Sequence, residues 1–187
     1  MRGIGRSVIR SRGKCRTTYT RRYRGSVVRL VVATERDRSF AEGLAVRNME
    51  PYYREHGLQW DPDRFRDNWA GATNYILECD GSQAGFVSLV LEEQWAYIRD
   101  LQLAPGHQGQ GLGTWTLRQV ERLSRERGRF RLRLRTFRSN PAIALYERLG
   151  FGIMVSGEVV VGMEKVLAGP GDGDTPASCR REPSCEH

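Results

Sequence analysis

The chain has 187 residues, with 30 Lys or Arg against 22 Asp or Glu and a formal net charge of +8 at pH 7. No apolar run approaches the ~18 residues that a membrane-spanning helix needs, so no membrane partner is expected. Ten of the basic residues and no acid fall in residues 1–29, leaving 20 basic against 22 acidic groups in the remainder; a charge confined to one end is no basis for a nucleic-acid partner, and none is expected.

Residues 1–28 are rich in Arg, Ser, Thr and Gly without apolar periodicity and are expected to form a disordered basic arm. Their lack of acids superficially resembles an organelle transit peptide; a solvated arm or a start codon placed too far upstream is the simpler reading. Leu30–Ala33 predicts a short strand. Thr34 then caps a helix with Glu35 and Asp37 in its first turn and Phe40 and Leu44 on one face. Asp61-Pro62, an N-cap followed by proline at the first helical position, opens a second helix. Tyr75–Cys79 and Ala84–Leu91 flank Asp80-Gly81-Ser82-Gln83, which predicts a hairpin. Ala96–Leu103 is the next strand, stopped by Pro105. The helix that follows places Leu112, Trp115, Val120 and Leu123 on one arc and Arg118, Glu121, Arg122 and Arg125 opposite, and Gly128 ends it. Phe130–Arg135 alternates as a half-buried strand does, its arginines forming a solvated or ion-paired face. Asn140 and Pro141 open a last helix that Gly150 closes, and Glu158–Val166 supplies a final strand. From Ala168 the chain turns to Gly, Pro and Asp, so residues 168–187 read as a disordered tail. Strands and helices interleaved in one domain over residues 29–167 give an α/β or mixed α+β class.

Four cysteines stand at Cys15, Cys79, Cys179 and Cys185. Their spacing matches no zinc pattern, so no metal is expected, and reduced thiols in a cytoplasmic setting are the plain reading.

The chemistry concentrates where the Ala96–Leu103 strand meets the next helix. Gln108-Gly109-Gln110-Gly111-Leu112-Gly113-Thr114 puts glycines at alternate positions on a helix N-terminus. Unpaired amides and the positive end of the helix dipole favour an anion there, and absent Cβ atoms let it approach the backbone. No Gly-Lys-Ser/Thr follows, so this is not a Walker loop; a dinucleotide fingerprint would need glycine at 114, where Thr114 stands.

The segment Leu101 to Gly113 resembles the signature of the GCN5-related N-acetyltransferases, Gln/Arg-x-x-Gly-x-Gly/Ala. Asn140-Pro141-Ala142-Ile143-Ala144-Leu145-Tyr146-Glu147-Arg148-Leu149-Gly150-Phe151 resembles that family's second motif, in which the alanine spacing varies. The resemblance covers residues 29–167. It implies a single domain with a mixed, mostly antiparallel sheet of about six to seven strands flanked by about four helices. It further implies acetyl-CoA as co-substrate and direct transfer of an acetyl or other acyl group to a primary amine of a small molecule or peptide. The pyrophosphate would meet the main-chain amides of Gln108, Gly109, Gln110, Gly111, Leu112, Gly113 and Thr114. The pantetheine would lie along Leu101, Gln102 and Leu103 as an added strand does. Asn140 would contact the cofactor, and Tyr146 would sit near the sulfur and protonate the departing thiolate.

An alkylammonium of pKa ~10.4 is the free amine in only about one molecule in 10³ at pH 7, a penalty of roughly 4–5 kcal/mol, so a general base is expected. Some relatives carry a glutamate where this chain has Arg99. Asp100 is the nominal first choice, although strict strand alternation turns it to the other face of the sheet from Arg99; Glu92, Asp61 and Glu50 are further candidates. The absent glutamate leaves an alternative open, a non-catalytic acyl-CoA-binding regulatory domain on the same fold. Met49–Arg54 and Trp60-Asp61 form an aromatic and acidic stretch, expected either to wall a pocket for a cationic amine or merely to pack the helices. The oligomeric state is not legible; a homodimer stays open.

Overall fold

Residues 18–23 and 25–169 are described by a computed structural model. Its strands are β1 (Thr18–Tyr23), β2 (Ser26–Val32), β3 (Thr73–Cys79), β4 (Ser82–Leu91), β5 (Ala96–Leu103), β6 (Arg131–Phe137), β7 (Gly152–Ser156) and β8 (Val160–Val166). Its helices are α1 (Arg38–Glu55), α2 (Pro62–Ala70), α3 (Leu112–Glu126) and α4 (Ala142–Arg148). One sheet runs in the order β1-β2-β3-β4-β5-β6-β8-β7. Every neighbouring pair is antiparallel except β5–β6.

Apolar residues at consecutive positions of β3 and β4 require cover on both faces of the sheet. Tyr75, Leu77, Val87 and Leu89 pack on one face with Trp115, Leu117, Val120 and Leu123 of α3 and with Tyr146 of α4. Ile76 and Phe86 point to the other face, where Ala41, Leu44 and Ala45 of α1 meet Phe65 and Trp69 of α2. Asp61 caps α2 as expected, accepting from the Arg64 amide at 2.9 Å, with Pro62 in the first turn. Asn74, buried between the layers, accepts from Ser88 Oγ (2.6 Å) and donates to the Trp69 carbonyl (2.7 Å), tying the end of α2 to the sheet. Among the described residues no helix is long and apolar enough to cross a membrane.

Two features differ from the sequence expectation. Of residues 1–28, assigned to a disordered arm, 18–23 form β1 and 26–28 the start of β2; residues 1–17 and 24 lie outside the described part, as do Cys179, Cys185 and the rest of the tail from 170 on. Tyr19 and Tyr23 recur on one face of β1 and pack on the core, and Tyr19 Oη donates to Glu126 of α3 at 2.7 Å. The sheet also has eight strands, because the β1 hairpin and the edge strand β7 were not separated by sequence pattern. All five β7 residues are exposed, which removes the alternation that announces a strand.

Candidate active site

The parallel ladder between β5 and β6 is short. Only Ala96–Ile98 pair with Leu132–Leu134, so beyond Ile98 the two strands part. On its other side β5 carries a bulge: Ser88 faces Asp100 and Leu89 faces Ile98, leaving Arg99 as the extra residue. A bulge resets the alternation of side chains and bends the strand. Both Arg99 and Asp100 therefore line the cleft that opens between the strands, which corrects the expectation that strict alternation separates them. The cleft holds about 870 Å³, floored by Leu101, Gln102 and Leu103.

At one end of the cleft stands the glycine loop. Gly111 takes φ +82°, a conformation that L side chains rarely adopt, and caps α3. A Cβ at this position would meet Tyr23 Oη, the end of a side chain that can turn aside, so it is the dihedral angle that calls for glycine here. The Trp115 amide is the first taken up by the helix, by Gly111 C=O at 3.1 Å. The amides of Leu112, Gly113 and Thr114 precede it in the turn and have no helical acceptor, as at any helix N-terminus. Gln108 Nε2 donates to Leu103 C=O (3.0 Å) and Gln110 Nε2 to Gly106 C=O (2.7 Å), which fixes the loop. Gln108, Gly109, Gly111, Gly113 and Thr114 line the cleft. The Leu112 side chain instead enters the core, 3% exposed, and Gln110 is exposed outside the lining, so these two could offer a ligand only main-chain groups.

The opposite wall comes from α4. Asn140 Oδ1 accepts from the Ala142 amide at 2.9 Å, the expected capping bond, and its residue borders the cleft. Tyr146 is 7% exposed, its ring edge-on to Phe151 at 5.8 Å between centroids. Burial, then the nearby Asp100 charge, push its phenol up to about 12.

Asp100 sits between these walls. Desolvation pushes its carboxyl up to about 6, against the opposing pull of Arg99 and of a hydrogen bond from Gln102. Gln102 is itself held by Asn48 of α1, whose Nδ2 donates to Gln102 Oε1 (3.1 Å) and to Leu103 C=O (3.0 Å). Asn48 and Gln102 thus orient the carboxylate, and of the two only Gln102 was named from sequence, for its main chain. The other acids considered are elsewhere: Glu50 is exposed and paired with Arg54, Asp61 caps α2, and Glu92 is exposed at the far hairpin. Of the α1 stretch, Met49, Pro51 and Tyr52 line the cleft, and its aromatics also pack on one another and on the sheet. Tyr52 stacks on Phe137 at 5.4 Å, and Tyr53 meets Phe137 edge-on and Trp60 at a tilt. Among the described residues, no three His, Cys, Asp or Glu side chains are grouped as a metal ion would need.

A single α/β domain, a mixed sheet parted between its two parallel strands, and a glycine-rich helix start at the parting define the class of fold. The acetyltransferase (GNAT) family pattern matches residues 23–151, and the chain belongs to that family. It is 43% identical over 82 residues to a streptothricin acetyltransferase of Streptomyces lavendulae, a match covering 42% of this chain and 43% of that protein. The match thus spans less than half the length of that relative. Two solved structures share the fold. One is the ribosomal-protein-S18-alanine N-acetyltransferase of Escherichia coli, with TM-score 0.63, 24% identity, and coverage of 79% of this chain and 99% of that one. The other is the PaiA N-acetyltransferase of Thermoplasma acidophilum in complex with coenzyme A, with TM-score 0.61, 16% identity, and coverage of 74% and 98%.

Proposed function

We propose that this protein transfers an acetyl group from acetyl-CoA to a primary amine, with Asp100 as general base and Tyr146 as hydrogen-bond donor to the leaving sulfur. The observation that carries this reading is the pairing, in one cleft, of a carboxyl shifted up to about 6 with a phenol shifted up to about 12. Desolvation raises both, which brings the Asp100 carboxylate toward the basicity a general base needs near neutral pH and keeps the Tyr146 phenol protonated as a donor. The cleft fits the cofactor. The free amides at the start of α3 suit a pyrophosphate, and the edge of β5 that β6 leaves beyond Ile98, up to the Leu103 carbonyl already held by Asn48 and Gln108, suits the amide-bearing pantetheine arm.

In this scheme the acceptor reacts as the free amine, having lost its ammonium proton to solvent, and its nitrogen lone pair attacks the thioester carbonyl carbon. As the C–N bond forms the nitrogen becomes strongly acidic, and Asp100, about nine-tenths ionised at pH 7 for a pKa near 6, takes its second proton while the C–S bond breaks with its electron pair leaving on sulfur. A thiolate of pKa ~8.5 does not take the proton of a phenol near 12, since transfer would be uphill by roughly 5 kcal/mol. Tyr146 therefore stabilises the developing thiolate by donation, and the sulfur is protonated from solvent. This refines the role that the family resemblance implies.

The test is release of free CoA from acetyl-CoA by the full chain against an amine panel, beside calorimetric titration of acetyl-CoA into the wild type and Gly111→Asp. Micromolar binding lost in the variant, with amine-dependent CoA release, supports the reading. Binding without release by any amine favours the non-catalytic alternative.

A further inference from the structure

β6 carries three arginines on the sheet face away from α3: Arg131, Arg133 and Arg135. The antiparallel neighbour β8 supplies one carboxylate for them. Glu164, directly opposite Arg133, takes Arg133 Nε at 2.6 Å and Arg131 Nη1 at 3.3 Å. Arg133 is further held over the Trp95 ring, 3.9 Å from its centroid. Opposite Arg135, however, stands Gly162, which has no side chain to offer. Arg135 is exposed and makes no ion pair among the described residues.

Its position matters because of where the β5–β6 ladder stops. Ile98 pairs with Leu134, so Arg99 and Arg135 are the next residues on either side of the parting. Arg99 is steadied by Asn68 of α2, with Nη1 to Oδ1 at 2.8 Å. Both guanidinium-bearing residues line the cleft, together with Asp100, the single acid among its described lining residues. Arg135 also borders a second cavity of about 290 Å³, lined by Trp95, Tyr97, Arg133 and Gly162 among others, so it is shared between the two. A desolvated carboxylate can pair with an ammonium, but two guanidiniums at the same mouth repel an acceptor that is cationic throughout. They match an oxyanion in the fork geometry that guanidinium favours.

We infer that the acceptor is an amine that also carries a carboxylate, held at the mouth of the β5–β6 parting by Arg135 and Arg99 with its amine at Asp100 and the rest of the molecule in the second cavity. This rests on the acetyltransferase reading above and names the substrate class of that site.

The test compares three forms of each of several α-amino acids: the free acid, the amide, and the decarboxylated amine. For each, kcat/KM with acetyl-CoA is measured for wild type, Arg135→Gln, Arg135→Glu and Arg131→Gln, and acetyl-CoA binding is measured separately. Taking the variant-to-wild-type ratio for each amine cancels its intrinsic pKa. The inference expects Arg135→Gln to lower kcat/KM for the acids by roughly 10–10²-fold and to leave the amides and amines within about twofold. Arg135→Glu should reverse the preference, and Arg131→Gln, in the same row but paired with Glu164, should change no ratio. Equal loss across all three forms, or faster turnover of the amines than the acids by wild type, overturns the inference and leaves the acetyltransferase reading standing. Absence of acetyl-CoA binding by wild type overturns both.

Discussion

Asp100→Asn should make the protein inactive and, at neutral pH, more stable. The Asp100 carboxyl is raised from its ordinary 3.8 to about 6 by desolvation. A group whose folded pKa lies above its unfolded value stabilises the fold only when protonated, so its contribution is present below about 3.8 and is lost as pH rises through about 6. A rise of about 2 units at about 1.4 kcal/mol each makes ionised Asp100 cost about 3 kcal/mol at pH 7. An asparagine removes that charge but weakens the bond from Gln102, worth about 1 kcal/mol. The variant should therefore be more stable than wild type by about 2 kcal/mol at pH 7. It should be less stable by about 1 kcal/mol near pH 3.5, with the sign changing between pH 4 and 6. Urea unfolding of both proteins across this range reads the difference directly, because all other carboxylates cancel. A pH-independent difference, or a variant less stable at pH 7, would refute the reasoning that Asp100 is held in a desolvated state. In the same window the acid limb of wild-type kcat/KM should fall with an apparent pKa near 6.

Tyr146→Phe should lower kcat by roughly 10–10²-fold, the value of one hydrogen bond to a charged sulfur, with acetyl-CoA binding intact; a loss near 10⁴ would restore full proton donation. Gly111→Ala should cost the ~1–2 kcal/mol of a left-handed alanine plus a smaller share for displacing the Tyr23 hydroxyl that its Cβ meets. In a Tyr23→Ala background the same change should cost only that dihedral part, and thermal melts of the four proteins separate the two. Asn74→Ala leaves the Ser88 hydroxyl and the Trp69 carbonyl without their partner and should cost about 2–4 kcal/mol in chemical denaturation.

The parts of the site that use main-chain geometry were legible in the sequence, and those that depend on strand register were not. Glycine at 111 and the Asn140-Pro141 start of α4 are local requirements, met by few residue types, and the structure places them where the pattern puts them. The bulge at Arg99 leaves no comparable mark, since Tyr97-Ile98-Arg99-Asp100 holds no glycine or proline to announce it. A one-residue slip nevertheless changes the faces of every side chain after it, and with them which residues can serve as base. The β1 hairpin was hidden for a related reason: Arg21, Arg22 and the Tyr pair interleave, so the composition reads as a basic arm although the tyrosines alternate onto the core.

That bulge also explains why one short stretch carries so much of the proposed chemistry. Had the β5–β6 ladder continued past Ile98 and Leu134, the edge of β5 would have been consumed by β6 and unable to pair with a ligand. Asp100 would then have had neither a cleft to serve nor Arg99 beside it at the mouth. Parting the strands leaves polar backbone and a desolvated carboxylate uncompensated in the free protein. The approximately 3 kcal/mol held against the fold by ionised Asp100 is the part of this that can be measured. A ligand that hydrogen-bonds the β5 edge and presents an ammonium to Asp100 relieves both terms together. Binding of acceptor and cofactor should then be mutually reinforcing, with each raising the other's affinity by the same factor. Calorimetric titration of coenzyme A, which carries no acetyl to transfer, with and without an acceptor checks this reciprocity, and equal affinities in the two titrations would show that the terms are independent.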